Sequence, residues 1–380
     1  MRHGLLALAL LFAPVAARAD ESEDAAVKAV EKVYGKVLRD ANQVITGVDL
    51  SAGAAQGHRV TDEELKELLP LKSLTSIDLS HTGVTNAGLK VLVAFKSLTT
   101  LSLHDTGITD AGLKELAPLK NLTAFNLSNT KVTDTGLKEL TAIRNLTALH
   151  LRKTEITDAG LKSLPPMKDL TTLDLSDTKV TDAGLKALAP LERLTNLYLY
   201  NTEVTDTGLK ELAPSKNLAV LLLYNTKVTD AGLKELAPLK SLSVLVLGET
   251  EVTDAGLKEL APLKNLTALN LYGTKVTDAG VKELAPFQNL TLLDLSGTNV
   301  TDAGIKELAR FKNLAHLELS STAVTDVGLK ELASLKKLTK LFLISTKTTF
   351  AGIKEFQKAA PKCDVWNTLS LKGQPALGKW

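Results

Sequence analysis

Val276–Asn299 reads VTDAGVKELAPFQNLTLLDLSGTN, and it is one copy of a unit that fills most of the chain. The first strand leucine of the unit recurs at Leu74, Leu98, Leu122, Leu146, Leu170, Leu194, Leu218, Leu242, Leu266, Leu290, Leu314 and Leu338, an unbroken step of 24 residues. A fixed period of this length is the signature of a stacked repeat, in which each unit buries the apolar face of the next. Within the preceding copy, LTALNLYGTK (Leu266–Lys275) alternates Leu269 and Leu271 with polar neighbours, which is strand periodicity. VTDAGVKELAPF then supplies Thr277 and Asp278 as helix-capping types, Val281 and Leu284 on one helical face, and Pro286 as a stop. Each unit is therefore expected to be a short strand, a turn, a short helix and a return.

Three columns hardly vary. Thr stands at every strand end from Thr82 to Thr346, where stacked hydroxyls are expected to tie the turns of adjacent units. Gly stands near each helix start from Gly88 to Gly352. Gly inside a helix costs about 1 kcal/mol relative to Ala, so its retention points to close approach of neighbouring turns. Lys stands at Lys90 and onward to Lys354, usually before Glu, and reads as a solvated outer face.

With these columns, LxxLxLxxTxVTDxGLxxLxxL resembles a leucine-rich repeat, closest to the cysteine-containing subtype and to secreted bacterial TDAGLKEL arrays, with Thr in the usual Asn/Cys column. The resemblance covers about residues 45–366. It implies an α/β fold: a right-handed leucine-rich-repeat solenoid, or horseshoe, of about thirteen units, with a parallel β-sheet on the concave face and short helices on the convex one. It implies a binding protein without enzyme activity.

At the N-terminus, Arg2, the apolar run Gly4–Ala13 and Ala17-Arg18-Ala19 form a signal peptide over residues 1–19. The expectation is an exported protein, periplasmic, in the cell envelope or secreted. The run is too short to span a bilayer, and no later segment has the length for membrane insertion. The full chain carries 45 Lys and Arg against 43 Asp and Glu; removing Arg2 and Arg18 leaves 43 of each. That balance argues against nucleic acid. One cysteine, Cys363, excludes an intrachain disulfide framework and is expected as a small buried hydrophobe.

Residues 20–44 are expected to cap the array, with a helix over Glu21–Asn42 whose seam is Val27, Val30, Tyr34, Val37 and Leu38. A partner-docking helix is the other reading. Between Leu50 and Val60 the turn is longer by five residues than in later units. Such insertions map to loops on one edge, sometimes the binding edge, although small residues in a first repeat also serve as slack. Composition does not shift along residues 45–366, which reads as one domain. Phe350 replaces the usual Asp in the last unit, Cys363 and Val365 fit a final strand, and residues 367–380 lack periodicity and read as a tail.

No constellation of catalytic residues emerges. Asp105–Gly107, Asp134–Gly136 and Asp206–Gly208 spell Asp-Thr-Gly, the triplet of aspartic proteases, but all three follow from repeat columns. The sequons at Asn121, Asn145, Asn265, Asn289 and Asn299 do the same. His81 and the His104/Asp105 pair sit at neighbouring strand ends, with no evident third and fourth metal ligand. No cofactor is expected.

The informative positions vary inside the rigid frame. The outward middle strand position is polar at both ends of the array and apolar at its centre. Tyr198, Tyr200, Val220, Leu222, Tyr224, Val244, Val246 and Tyr272 cluster there, including four of the five tyrosines. Tyrosine is a common interface anchor, and a contiguous apolar patch marks a partner surface. The competing reading is that these rings only stack across strands and stabilise the sheet. Beside them, His150, Arg152, Lys153, Asp174 and Asp177 are the expected polar rim. The expected ligand is a protein, with a glycan possible, and the pattern leaves the oligomeric state open. The alternatives are a self-associating envelope scaffold using the Lys/Glu face, and an F-box-like substrate receptor. For the latter, Glu21–Asn42 is too short to hold the F-box.

Overall fold

The computed structural model describes residues 15–57, 59–164 and 167–367. Most of the signal segment (residues 1–14) and nearly all of the tail (368–380) lie outside the described residues. The chain divides into two compact units, Met1–Lys131 and Val132–Trp380.

In the first unit a helix, Val15–Lys32, precedes a strand, Lys36–Arg39, which pairs antiparallel with Ile45–Asp49. Ile45–Asp49 then pairs in parallel with Ser76–Asp78, and the ladder continues through Thr100–Ser102 and Ala124–Asn126. Among the described residues of the second unit, ten parallel strands run from Ala148–His150 to Asp364–Trp366, paired neighbours being 24 positions apart. The exact register explains the repeat's strictness, since a slip of one residue would turn every core leucine outward. Leu266, Leu269 and Leu271 are fully buried, as are their counterparts. Burying a leucine contributes roughly 2 kcal/mol, so one unit supplies several such contributions only when stacked.

The junction between units of the repeat is a hydrogen-bonded ladder. In one copy, Asp278 Oδ1 and Oδ2 accept from the backbone N–H (2.8 Å) and hydroxyl (2.7 Å) of Thr301 in the next. Thr301 Oγ1 accepts in turn from Ala303 N–H and caps its own helix, Asp302–Leu308. The Gly304 N–H also donates to Asp278 Oδ1 (2.9 Å), and a Cβ on Gly304 would stand 2.5 Å from that oxygen. The glycine column therefore exists because the aspartate of the preceding copy occupies the space, as the sequence led us to expect. The same ladder absorbs two of the Asp-Thr-Gly triplets: Asp134 binds Thr157, and Asp206 binds Thr229. Asn265 and Asn289, read as sequons, donate their amides to Lys240 and Lys264 carbonyls. The lysine column is exposed throughout, and Lys90 and Lys258 each lie 3.8 Å from a glutamate of the next copy, Glu115 and Glu283.

Two expectations are corrected. The buried threonines of the strand-end column do not tie adjacent copies: Thr82 Oγ1 donates to its own Leu79 carbonyl at 2.6 Å, and Thr298 to Leu295 at 2.5 Å. The preceding residue adopts positive φ, +61° at His81 and +53° at Asn201, which curls the hydroxyl back over its own strand. Hydroxyl ties between copies come instead from the residue just before the strand where it is Thr or Ser, for example Thr195 Oγ1 to Thr171 O at 3.0 Å and Ser243 Oγ to Ala219 O at 3.1 Å. The capping helix also stops at Lys32 rather than Asn42. Tyr34 (φ +61°) and Gly35 break it, and Val37 and Leu38 enter the antiparallel edge strand. Its buried seam is Ala26, Val30 and Val33, while Tyr34 and Leu38 are exposed. Covering the sheet edge with an antiparallel strand satisfies backbone groups that a helix alone would leave open.

At the far end, Phe350 opens the helix Phe350–Ala359, with Thr349 still bound to Asp326. Phe350 stands where most other copies carry the aspartate, so this copy offers no carboxylate at that position. Cys363 is buried just before the strand Asp364–Trp366, and burial pushes its thiol up to about 11.

Candidate functional site

The sheet face of the second unit carries the residues singled out from sequence. Side chains at the first and third positions of each strand point away from the leucine core. Tyr198, Val220, Leu222 and Val244 are half-buried there, while Val246 is 6 % exposed and belongs to the covered part of the surface. Tyr200, Tyr224 and Tyr272 share the position just beyond the strands. Tyr200 meets Tyr224 edge-on, with ring centroids 5.9 Å apart at 88°. Tyr224 stacks on Tyr272 at 6.3 Å and 29°, although these two are two copies apart.

Gly248 makes that long reach possible. It interrupts the tyrosine column, and a Cβ there would stand 2.8 Å from Tyr224 Cδ2 and 2.8 Å from Asn270 Oδ1. The Tyr224 ring therefore lies over the glycine and meets Tyr272 beyond it. Tyr272 remains 39 % exposed, so the ladder presents aromatic surface while its members stabilise one another. Burial pushes the Tyr200 phenol up against the opposing pull of Arg152, and burial also raises Tyr224, with Glu249 adding to it.

The polar residues assemble beside the ladder as a connected chain. Arg152 Nε donates to Asp177 Oδ2 at 2.7 Å, Asn201 Nδ2 to Asp177 Oδ1 at 2.6 Å, and Asn225 Nδ2 to Asn201 Oδ1 at 2.8 Å. His150 Nδ1 stands 3.8 Å from Asp174 Oδ2. Burial opposes the Asp174 charge, but the His150 imidazole and the Ser176 donors outweigh it and hold the carboxyl below the usual range. Lys153 is exposed at φ +54°.

Sequence reasoning missed Asn201, Asn225, Glu249 and Gly248. For Asn201 and Asn225 the available signal was the column before the strand-end threonine, where His81, Asp105, Asn129, Asp177 and Gly273 are also types that tolerate positive φ; Glu249 shares the column without being such a type, and Gly248 lies outside it. It also missed a second cluster. Asp294, 2 % exposed, accepts from Asn270 Nδ2 and Ser296 N–H, both at 2.8 Å, and burial together with the Glu318 carboxylate pushes it up to about 7. Glu318 lies 3.1 Å from His316 Nε2, and His316, Phe342 and Trp366 stack in series at 5.2 and 5.9 Å.

Among the described residues no group of three or more His, Cys, Asp or Glu could hold a metal ion. His81, His104 and Asp105 form a hydrogen bond and a ring contact rather than a coordination shell. No helix of the described residues is long and apolar enough to cross a membrane.

The family profile described as "Leucine Rich repeat" matches residues 71–93, 96–117, 119–140, 142–164, 167–189, 263–285, 288–309 and 312–333. A search of curated proteins returns no match. Among solved structures, an internalin of Listeria monocytogenes is similar over 95 % of this chain and 99 % of its own, at 22 % identity and a TM-score of 0.59. A leucine-rich repeat protein of Leptospira interrogans is similar over 93 % and 98 %, at 23 % identity and a TM-score of 0.51. Eight profile matches in register with the 24-residue strand ladder, and the shared fold, identify the chain as a leucine-rich repeat protein.

Proposed function

We propose that the chain is an exported, non-catalytic protein-binding module whose sheet face, on the expected concave side, holds the partner. The observation that carries this reading is the Tyr200–Tyr224–Tyr272 ladder, half-exposed beside the Arg152–Asp177–Asn201–Asn225 chain. Rigid, preassembled rings lose little entropy on binding, and a hydrogen-bonded polar border suits the rim of an interface. The stacking seen within the ladder also supports the sheet-stabilising reading, so a test must separate binding from folding.

The test is a paired capture from cell-envelope extract. One bait is Asp20–Trp380; the other carries Tyr198→Ser, Tyr200→Ser and Tyr224→Ser, with matching circular dichroism. A partner retained by the first and lost by the second supports the reading. Identical recovery from both removes the tyrosines from the interface. Self-capture that survives the substitutions favours the scaffold alternative. Export rests on the signal segment of residues 1–19, whose Ala17-Arg18-Ala19 lies in the first turns of the helix Val15–Lys32. N-terminal sequencing of the protein recovered from cells should begin at Asp20.

A further inference from the structure

Described residues of the longer turn between Leu50 and Val60 line one side of a surface hollow. Ser51–Gln56 winds into a 3-10 helix, anchored where Ser51 donates through its N–H (2.9 Å) and hydroxyl (2.6 Å) to Asp49 Oδ1. With Arg59, His81 and Asp105 it borders an open hollow of about 570 Å³, also lined by Ala55 and Gly57, in which Arg59 and His81 are exposed to solvent.

The donors in this hollow are unevenly committed. His81 Nδ1 is 2.9 Å from Asp105 Oδ2, and Asp105 Oδ1 also accepts from Asn129. The His81 ring meets His104 edge-on at 4.8 Å, and His104 is itself held 3.0 Å from the Ser128 carbonyl. His81 is thus fixed through Nδ1, and its Nε2 has no partner among the described residues. Arg59 lays its aliphatic arm over Gly83, and its guanidinium pairs with no carboxylate among the described residues. A guanidinium offers a planar fork of N–H donors matched to carboxylate and phosphate oxygens.

We propose that this hollow binds a small ligand through an oxyanion, carboxylate or phosphate, clamped by the Arg59 guanidinium; His81 Nε2 is a second donor when the imidazole is protonated, with its Nδ1–H then donating to Asp105. The Asp105 carboxylate does not repel the ligand outright, because His81 and Asn129 already draw on its charge. The site uses residues of the Met1–Lys131 unit alone and stands independently of the tyrosine ladder.

The experiment is an NMR titration of the full ¹⁵N-labelled chain, following the Arg59 side-chain Nε–H and the amides of Ser51–Arg59. Inorganic phosphate and glucuronate are added separately at constant ionic strength, with chloride as the control. At least one oxyanion should give saturable shifts at these positions. Arg59→Gln should weaken that binding tenfold or more. Arg39→Gln, at an exposed arginine bound to the Gln43 carbonyl, should leave it unchanged. A response to phosphate alone assigns a phosphoryl ligand, and a response to glucuronate alone assigns a carboxylate. No saturable shift with either, equal shifts with chloride, or wild-type binding by Arg59→Gln would overturn the proposal.

Discussion

At the residue scale, the repeat is held by atoms that leave no room for change. Gly304 sits where a methyl group would meet Asp278 Oδ1, an oxygen that already accepts from the Thr301 and Gly304 N–H groups while Oδ2 accepts from the Thr301 hydroxyl. Gly304→Ala should therefore destabilise the protein by about 1–3 kcal/mol, as overpacking does. Gly107 lies outside that column, with a projected Cβ only in ordinary contact with the Val84 carbonyl at 3.6 Å. Gly107→Ala should be close to neutral in the same urea titration. Equal losses at both positions would dismiss the steric account.

Asp294 adds a pH dependence with a definite sign. Its folded-state pKa is raised to about 7 by burial first and by Glu318 second, with Ser296 and His316 acting in the opposite direction. An unfolded aspartate titrates near about 3.9. The folded state therefore holds the proton more tightly, and this contribution is fully present below the unfolded pKa and is lost as pH rises through about 7. Between pH 5 and pH 8 the wild type should lose stability that Asp294→Asn retains. Chemical denaturation of both proteins at the two pH values measures the difference, and parallel losses would rule the carboxylate out as its source.

At the element scale, the short helices from Asp158–Lys162 onward are capped by a threonine that is itself held by the preceding copy. With aspartate in the column, the threonine hydroxyl donates backward and is left free to accept from its own helix, as Thr301 does. Asn86 reverses the polarity of one step: its Nδ2 donates to Thr109 Oγ1 at 2.8 Å, and Thr109 makes no side-chain cap for Asp110–Glu115. Asn86→Asp should restore that cap and raise stability by about 0.5–2 kcal/mol, read from the midpoint of urea unfolding. The first unit solves the same problem locally. Thr61 has no aspartate behind it and is bound by Glu64, at 2.8 Å through its N–H and 2.6 Å through its hydroxyl.

At the scale of the whole molecule, each copy depends on its immediate neighbours, so stability should follow the number of copies. Removing residues 301–324 joins Val300 to Thr325, keeps the register, and lets Asp278 meet Thr325. That variant should fold with a smaller urea m-value, while removal of two residues fewer should abolish cooperative unfolding. Because the tyrosine ladder lies outside the deleted copy, partner capture should survive the in-register deletion.

The sequence by itself determined the repeat, its 24-residue register, the buried leucines and the glycine column, because each rests on an interaction repeated at a constant offset. It also determined which face carries the tyrosines, since strand alternation assigns faces without knowledge of neighbours. Only the tertiary structure decided how the side chains pair. The strand-end threonines turned inward because positive φ precedes them, Val246 fell beneath its neighbours, and Gly248 joined Tyr224 to Tyr272 across an intervening copy. The edge strand Lys36–Arg39 was hidden in an ambiguous run of Val37 and Leu38, and the sheet's need for a partner settled it. The Arg59–His81 hollow depends on where a single inserted loop folds back. The threonine turn recurs in every copy; the other contacts occur once, between residues far apart in the chain, and no period in the sequence records them.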